Sequence, residues 1–468
     1  MKRNKGITLI ALIITILVML ILVGVTVNVI INSNILGSAK NAGKKWKDEA
    51  QKEATEGKIT ISGIEYESID EYVSLSQASL PGGTRVETPT PYTVGGKTAV
   101  IPAGFTVSGI KSERTIDGGL VIYDIPKADL EAAGEEFWTA KEKVDDENSS
   151  DCYTVQKNYN QFVWVPVETP YVTASELAQI ISNSNGSITT ETAALQSLAD
   201  NGIYPMAVQL ANGTDYRGVV YKFNGKDSVK IKVSSFTTTE DYENGTVRDY
   251  REPAKLTTAS STYVDQTKEE SLDLQTEYNN IVKSVANQKG FWVARYELSY
   301  NTTTNKGESK RGNTVAKSSD TNTNQWYGLY NACQGMYTGT TKSAMISGSQ
   351  WDQIMIWMKE VKNTKGRVRK YYILDGSYMG NYKTSTGGTE IEQVSGYKEN
   401  YAVRQVFDLG GNLLEWTTSA VQMTNRVCRG GQYSSGGNEV PPSEPQAKQP
   451  IWISSNGVSA RTVLYVTL

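Results

Sequence analysis

The chain has 468 residues, a net charge of −3 and a hydrophobic content of 38%, which is typical of a globular protein with one large domain or two to three smaller ones. Its 47 basic residues are balanced by 50 acidic ones, so the sequence lacks the basic surplus of a nucleic-acid-binding protein. It contains no histidine, which excludes Ser-His-Asp and Cys-His catalysis and histidine-ligated zinc.

The N-terminal segment combines a short basic end with a long apolar run. Lys2, Arg3 and Lys5 precede 25 uncharged residues at 7–31. With a rise of about 1.5 Å per residue, such a helix can cross a bilayer core of about 30 Å, with its basic end on the cytoplasmic side. Two interpretations follow from these residues. One is an uncleaved membrane anchor, and the other is a secretory signal cleaved near 37–39, although the apolar run is long for such a signal.

A third interpretation of the N-terminus rests on a resemblance. Gly6 followed by the apolar stretch ITLIAL resembles the leader of type IV prepilins, a bacterial family. The resemblance implies that a prepilin peptidase cuts between Gly6 and Ile7, that the apolar helix is kept, and that the chain assembles with other pilin-like subunits. Ala11 stands where the family usually has glutamate, which favours a minor or tip-located pilin-like surface protein over a bulk pilus subunit.

The following segments set the expected domain boundaries. Residues 38–57 have apolar positions at roughly helical spacing among lysines and glutamates, which predicts a stalk helix that continues from the membrane, or else a solvated charged helix. Residues 81–96 are rich in proline, glycine and threonine, as linkers often are. We therefore predict a leader at 1–6, a transmembrane and stalk helix at 7–57, a linker region at 58–97, and a folded domain at 98–468.

The predicted domain has short strand patterns and a few helical ones. Apolar runs at 98–109, 118–126 and 161–167 predict strands. Apolar residues at helical spacing predict helices at 175–184, 192–202, 269–288 and 348–362. The last helix has a side predicted to face the core, formed by Trp351, Ile354, Trp357, Met358 and Val361. Polar runs at 234–250 and 299–324 predict surface loops, so the expected fold class is α+β.

A second resemblance concerns this domain. Seven motifs occur in a characteristic order: IPAGFTVSG at 101, FVWVPV at 162, GFWVARYELS at 290, ISGSQWDQIM at 346, VFDLGGNLLEWT at 406, RVCRGGQY at 426 and GVSARTVLYV at 457. The set resembles the formylglycine-generating sulfatase-modifying enzymes. The resemblance implies a C-type-lectin-like domain with long loops over 98–468, with an insertion at about 170–289, after the N-terminal pilin-type helix.

The run DLGGNLLEW supplies a candidate metal site. Asp408, Asn412 and Glu415 bring three oxygen-bearing side chains into eight residues, and the two glycines between them permit a tight turn. Calcium binds through several such oxygens. The resemblance implies a structural calcium ion near this segment, with Asn412 and Glu415 as ligands. The alternative is a capped turn, in which Asn412 bonds the backbone and Glu415 pairs with an arginine such as Arg429.

The enzymatic residues of the resembled family are missing from this sequence. Its cysteine-oxidising members carry a copper-binding cysteine pair after the Arg-Gly-Gly motif, and its iron-dependent branch needs histidine ligands. Here the cysteines are Cys152, Cys333 and Cys428, and none follows the motif. Their spacing allows one disulfide of undetermined pairing or three buried thiols. We therefore expect no copper or zinc and a non-catalytic domain.

The predicted function is adhesin-type binding at a bacterial cell surface, either by a single-pass membrane protein with an extracellular domain or by part of a pilus-like filament. Tyr433 and Trp452, in the C-terminal loops, are the predicted contacts to an extracellular glycan or protein ligand; the alternative is that these are ordinary surface loops. Other functions remain open. They are a surface enzyme that uses carboxylates or Cys428, a structural minor pilus subunit, and a binding domain diversified by a retroelement.

Overall fold

The computed structural model describes residues 59–61, 64–66, 69–225, 229–235, 250–256, 263–359, 373–385, 388–452 and 457–466. The predicted cleavage site at Gly6 and Ile7 and the predicted helix at 7–57 lie outside these residues. Among the residues that are described, no helix is long and apolar enough to cross a membrane. The chain divides into two compact units, Met1–Tyr72 and Val73–Leu468.

The described residues form an α+β protein with more strands than helices. The strands are β1 (Ile59–Ile61), β2 (Ile64–Tyr66), β3 (Thr90–Val94), β4 (Lys97–Ile101), β5 (Thr106–Val107), β6 (Val121–Tyr123), β7 (Lys141–Lys143), β8 (Asp151–Tyr153), β9 (Gln161–Pro166), β10 (Tyr171–Thr173), β11 (Ala207–Gln209), β12 (Tyr216–Gly218), β13 (Val220–Asn224), β14 (Lys230–Ser235), β15 (Tyr250–Arg251), β16 (Gly290–Ala294), β17 (Ser299–Asn301), β18 (Lys306–Glu308), β19 (Thr341–Met345), β20 (Ala402–Val403), β21 (Val406–Phe407), β22 (Glu415–Val421), β23 (Asn425–Arg429), β24 (Gln446–Lys448), β25 (Ser459–Ala460) and β26 (Thr462–Val466). The helices are α1 (Ile69–Ser76), α2 (Lys127–Glu131), α3 (Thr154–Asn158), α4 (Ala174–Asn183), α5 (Glu191–Asp200), α6 (Gln266–Glu270), α7 (Leu274–Gln288), α8 (Gln325–Gln334) and α9 (Gly348–Met358).

The principal sheet of the second unit has six strands in the order β19-β26-β16-β9-β6-β5, and every neighbouring pair is antiparallel. Successive side chains of a strand point to opposite faces, so Val163 and Val165 of β9 join one core cluster while Phe162 and Trp164 join another. Because both faces are covered, β9 is a continuous apolar run rather than an alternating one.

Helices cover both faces of this sheet. On one face, α7 contributes Ile281 and Val285, and α9 contributes Trp351 and Ile354. On the other face, α8 contributes most of its apolar side chains. Helix α9 starts with a capping box: the Ser347 hydroxyl accepts from an N–H of the first turn, and the side chain three residues on reaches back. The predicted helices at 175–184 and 192–202 are confirmed, with ends shifted by one or two residues. The predicted helix at 269–288 is instead divided between α6 and α7, and the end of the predicted helix at 348–362 lies outside the described residues.

A second sheet has the order β15-β22-β23-β24, with β25 parallel to β22. Its central strand β22 starts at Glu415, the last acidic residue of DLGGNLLEW, so the motif lies where this sheet meets its preceding loop. Smaller sheets include the three-stranded sheet β10-β11-β12 and the hairpins β3-β4 and β20-β21.

The region predicted as a linker at 58–97 contains β1, β2, α1, β3 and the start of β4. Val86, Tyr92 and Val94 are buried in the second core cluster, and the Tyr92 hydroxyl donates to the carbonyl oxygen of Arg114 at 3.0 Å. The prolines and glycines that suggested a linker instead form turns between packed pieces. A flexible linker and a series of tight turns have the same composition. Only Tyr92, the buried aromatic residue between the turns, distinguishes the folded segment from a linker.

Candidate functional site

The DLGGNLLEW segment forms the tight turn that its glycines suggested. Asp408, Gly411 and Asn412 have φ of 50°, 80° and 55°. The Gly411 N–H donates to the Gly430 carbonyl at 2.7 Å, and the Asn412 N–H donates to the Asn381 carbonyl at 2.8 Å. A Cβ on Gly411 would lie 2.6 Å from the Asn381 carbonyl carbon, so glycine is required here both for its φ and for its size.

The polar side chains of the turn bind neighbouring backbone. Asn412 Oδ1 accepts from the Gln393 N–H at 2.9 Å, and its Nδ2 donates to a Glu297 carboxylate oxygen at 2.6 Å. Asp408 Oδ2 accepts from the Gly396 N–H at 2.8 Å. Both side chains are buried. They therefore tie the loop around 393–396 to the turn, which is a structural role.

Glu415 forms a buried ion pair, as the capped-turn alternative foresaw, but with a different arginine. Arg461 donates to both Glu415 carboxylate oxygens, at 2.8 and 2.5 Å, and also to the carbonyl oxygens of Ala294 and Phe407. Arg429, the partner suggested from sequence, instead pairs with Asp352 at 2.9 Å. Glu415 and Arg429 do face each other across β22 and β23, but their side chains turn to other partners.

Three buried carboxyl groups, Glu297, Asp408 and Glu415, interact electrostatically. Burial raises the pKa of Asp408 to about 7 and raises the pKa of Glu415. Burial, together with the charges of Asp408 and Glu415, raises the pKa of Glu297 well above its usual value. The positive charge of Arg461 opposes all three shifts. Burial thus disfavours the charged form of each carboxyl group, and Arg461 partly offsets this effect.

The fit of these residues to calcium can be judged from their contacts. Both Glu415 oxygens are held by Arg461, so Glu415 has no free oxygen for an ion in this arrangement. Asp408 and Asn412 each direct an oxygen at a backbone N–H. Within the described ranges, no group of three or more His, Cys, Asp or Glu side chains has metal-binding geometry. Calcium at this segment remains a prediction.

The three cysteines are free and buried. Burial raises the pKa of the Cys333 thiol to about 12 and raises that of Cys428 well above its usual value. Burial also raises the pKa of Cys152. Nucleophilic and metal-binding cysteines normally have a lowered pKa, because the thiolate is the reactive form. In this protein, burial instead raises the pKa of all three thiols.

The two predicted ligand contacts, Tyr433 and Trp452, are half-buried and have different neighbours. The Tyr433 N–H donates to the Asn412 carbonyl at 3.0 Å, beside the turn. Trp452 packs against the second core cluster, and the Lys448 ammonium lies 4.7 Å from its ring centroid. The structure does not bring these two aromatic residues into one described site.

A groove of about 760 Å³, which we call the lateral groove, was not predicted from the sequence. It lies at the ends of β9 and α9, beside the turn between β20 and β21. Four cationic side chains and two aromatic rings characterise its lining: Lys97, Lys289, Lys359, Arg404, Tyr204 and Trp357. These residues come from separate parts of the chain and form no motif. The one available signal was Trp357, an aromatic residue followed closely by a lysine near the end of a predicted helix.

Comparison with known proteins adds little to these observations. No family model matches the chain, and no curated protein matches it. Among solved structures, the chain is similar to Treponema denticola variable protein 1, with 13% sequence identity, coverage of 41% of this chain and 68% of that chain, and a TM-score of 0.21. A similarity this low supports no conclusion about function.

Proposed function

We propose that this protein is a membrane-anchored, pilin-like bacterial surface protein that binds an extracellular ligand through a non-catalytic, C-type-lectin-like domain. The observation that carries the proposal is the buried ion pair between Glu415, the last acidic residue of DLGGNLLEW, and Arg461. Both oxygens of the carboxylate serve to fasten β22 to the C-terminal strands. A motif used in this way acts as scaffold, which leaves the surface of the domain for recognition.

The cysteine environments support the non-catalytic part of the proposal. Oxidase chemistry on a cysteine needs an accessible thiolate or a metal-bound one. Cys333 and Cys428 are buried, and burial raises the pKa of both thiols. An assay of the full chain with sulfatase-type cysteine peptides tests this directly. We expect no turnover in the wild type, whereas turnover that is lost in Cys428→Ser would establish the enzyme alternative.

The anchoring part of the proposal is tested at the N-terminus. The protein is purified from its own cells, and its mature N-terminus is determined by mass spectrometry. We expect an N-methylated start at Ile7. A start at Met1 would leave a simple membrane anchor and remove the pilin-like part, whereas a start just after Ala39 would indicate secretion and overturn anchoring.

The binding part is tested by attachment. Cells that produce the full chain and cells that lack it are compared on surfaces coated with glycans and with extracellular-matrix proteins. We expect at least a tenfold difference on one surface, restored by complementation. Equal attachment on every surface would contradict binding, and abundant filaments containing the chain would then favour a structural pilus subunit.

A further inference from the structure

The lateral groove concentrates positive charge on a chain whose net charge is −3. Its lining carries four cationic side chains against two carboxylates, Asp117 and Glu168. The Asp117 carboxylate is bound by Lys97 at 2.5 Å, and the Arg404 guanidinium donates to the Asp117 carbonyl oxygen at 2.9 Å. A concave surface lined mainly by one sign of charge attracts ligands of the other sign. The charge of the groove is therefore complementary to an anion.

Two of the cations rest on aromatic rings. The Arg404 guanidinium lies 4.7 Å from the centroid of the Trp357 ring, and the Lys359 ammonium lies 4.5 Å from the Tyr204 ring. A cation in this position is attracted by the ring and loses part of its conformational freedom before any ligand arrives. Less freedom is then lost on binding, so the two cations are preorganised for an anionic group.

The backbone that presents Arg404 is strained. Arg404 and Gln405 have φ of 47° and 66° at the turn between β20 and β21, a conformation usually given to Asn-Gly or Gly-Gly. The turn is held in place because Arg295 donates to the Gln405 carbonyl at 3.2 Å. A Cβ on Gly119 would lie 2.0 Å from the Arg404 carbonyl oxygen, so that approach also depends on glycine. Strained residues held by their surroundings concentrate at functional sites.

We propose that the lateral groove binds an acidic oligosaccharide, one that carries carboxylate or sulfate groups. This inference rests on the proposed function, because it names the site and the ligand class of the binding domain. The volume of the lateral groove lies within the usual range of small-ligand sites, roughly 300–1,000 Å³. The half-buried rings of Trp357 and Tyr204 offer apolar surface to sugar C–H groups, and Thr98 and Thr169 add hydroxyl groups to the lining.

The test is calorimetric titration of the full chain, purified in mild detergent, with a heparin-derived decasaccharide, an oligogalacturonate and neutral maltohexaose. Arg404→Gly is the central variant, because it removes the cation while glycine adopts the same φ without strain. Lys289→Gln with Lys359→Gln forms a second variant that leaves the turn intact. Lys383→Gln is the matched control, because Lys383 is exposed and does not line the groove. Thermal unfolding of every variant checks that the fold is kept.

We expect the wild type to bind at least one acidic oligosaccharide and not maltohexaose, with affinity that falls as salt rises. Both groove variants should weaken binding by tenfold or more, and the control should not change it. Equal binding by the groove variants would overturn the site but leave the proposed binding function standing. Preference for maltohexaose would overturn the ligand class. If no acidic oligosaccharide binds, the inference fails, and the attachment assay decides the proposed function independently.

Discussion

Replacing Asp408 by asparagine should stabilise the protein, although the residue belongs to its strongest motif. Asp408 is buried beside Glu297 and Glu415 and accepts one backbone hydrogen bond, from Gly396. Asparagine can accept the same bond through its side-chain oxygen. It also tolerates the positive φ of this position at least as well as aspartate does. The substitution therefore removes a buried charge without removing its contact.

The magnitude follows from the pKa of Asp408, which burial raises from 3.8 to about 7. The folded protein binds more protons than the unfolded chain between these values, so the contribution of Asp408 to stability is complete below pH 3.8 and is lost as the pH rises through 7. One pKa unit corresponds to about 1.4 kcal/mol. We therefore expect Asp408→Asn to raise the free energy of unfolding by a few kcal/mol, on the order of 4 kcal/mol, at pH 8 and by clearly less at pH 5.

Urea unfolding at both pH values, followed by tryptophan fluorescence, measures this difference. Asp145→Asn is the control, because Asp145 is exposed and its removal should change little. If Asp408→Asn instead lowers the free energy of unfolding at pH 8, the carboxylate must make a favourable interaction that the described contacts lack. Added calcium would then raise the urea midpoint of the wild type and not that of the variant. That result would refute our electrostatic reasoning and support the predicted calcium site.

Three further substitutions or treatments probe other parts of the described structure. Arg461→Met should lower the free energy of unfolding by about 3–5 kcal/mol at neutral pH, because it leaves Glu415 buried without its partner, and the loss should shrink in acid. Gly119→Ala should cost about 2–4 kcal/mol in thermal unfolding, because its Cβ would meet the Arg404 carbonyl at 2.0 Å and its φ is 100°. Maleimide should modify the folded protein slowly at pH 8 and the urea-unfolded protein at once, as measured by intact mass. The reason is that the three thiols are buried and that burial raises their pKa: Cys152, Cys333 and Cys428.

The sequence was most informative where side chains are apolar. The runs at 118–126 and 161–167 contain β6 and β9, and the helical spacing at 348–362 contains α9, because apolar periodicity reports burial directly. Trp357 was predicted to face the core and does pack against the first core cluster, but it is only half-buried and also lines the lateral groove. Val361, predicted for the same face, lies outside the described residues.

Polar sequence was harder to interpret. The run at 299–324 reads as a surface loop, but it contains the hairpin β17-β18 and several buried polar residues, among them Ser309 and Arg311. Arg311 is buried because its guanidinium donates to the Gly396 carbonyl at 3.0 Å and pairs with Glu399 at 2.8 Å. A polar residue is buried when distant partners satisfy it, and those partners cannot be read from local composition.

The motif and the lateral groove therefore differ in how they depend on sequence. DLGGNLLEW is recognisable in the sequence because one short turn requires adjacent glycines and polar side chains. The same residues are buried, because the turn packs inside the domain. The lateral groove forms where separate elements end near one another and each carries a cationic side chain. These residues are far apart in the chain, so they form no local sequence pattern. Variants at Arg404 should consequently change ligand affinity with little change in stability, while variants at Arg461 should do the reverse. Measuring both properties for both residues separates a recognition surface from the scaffold that carries it.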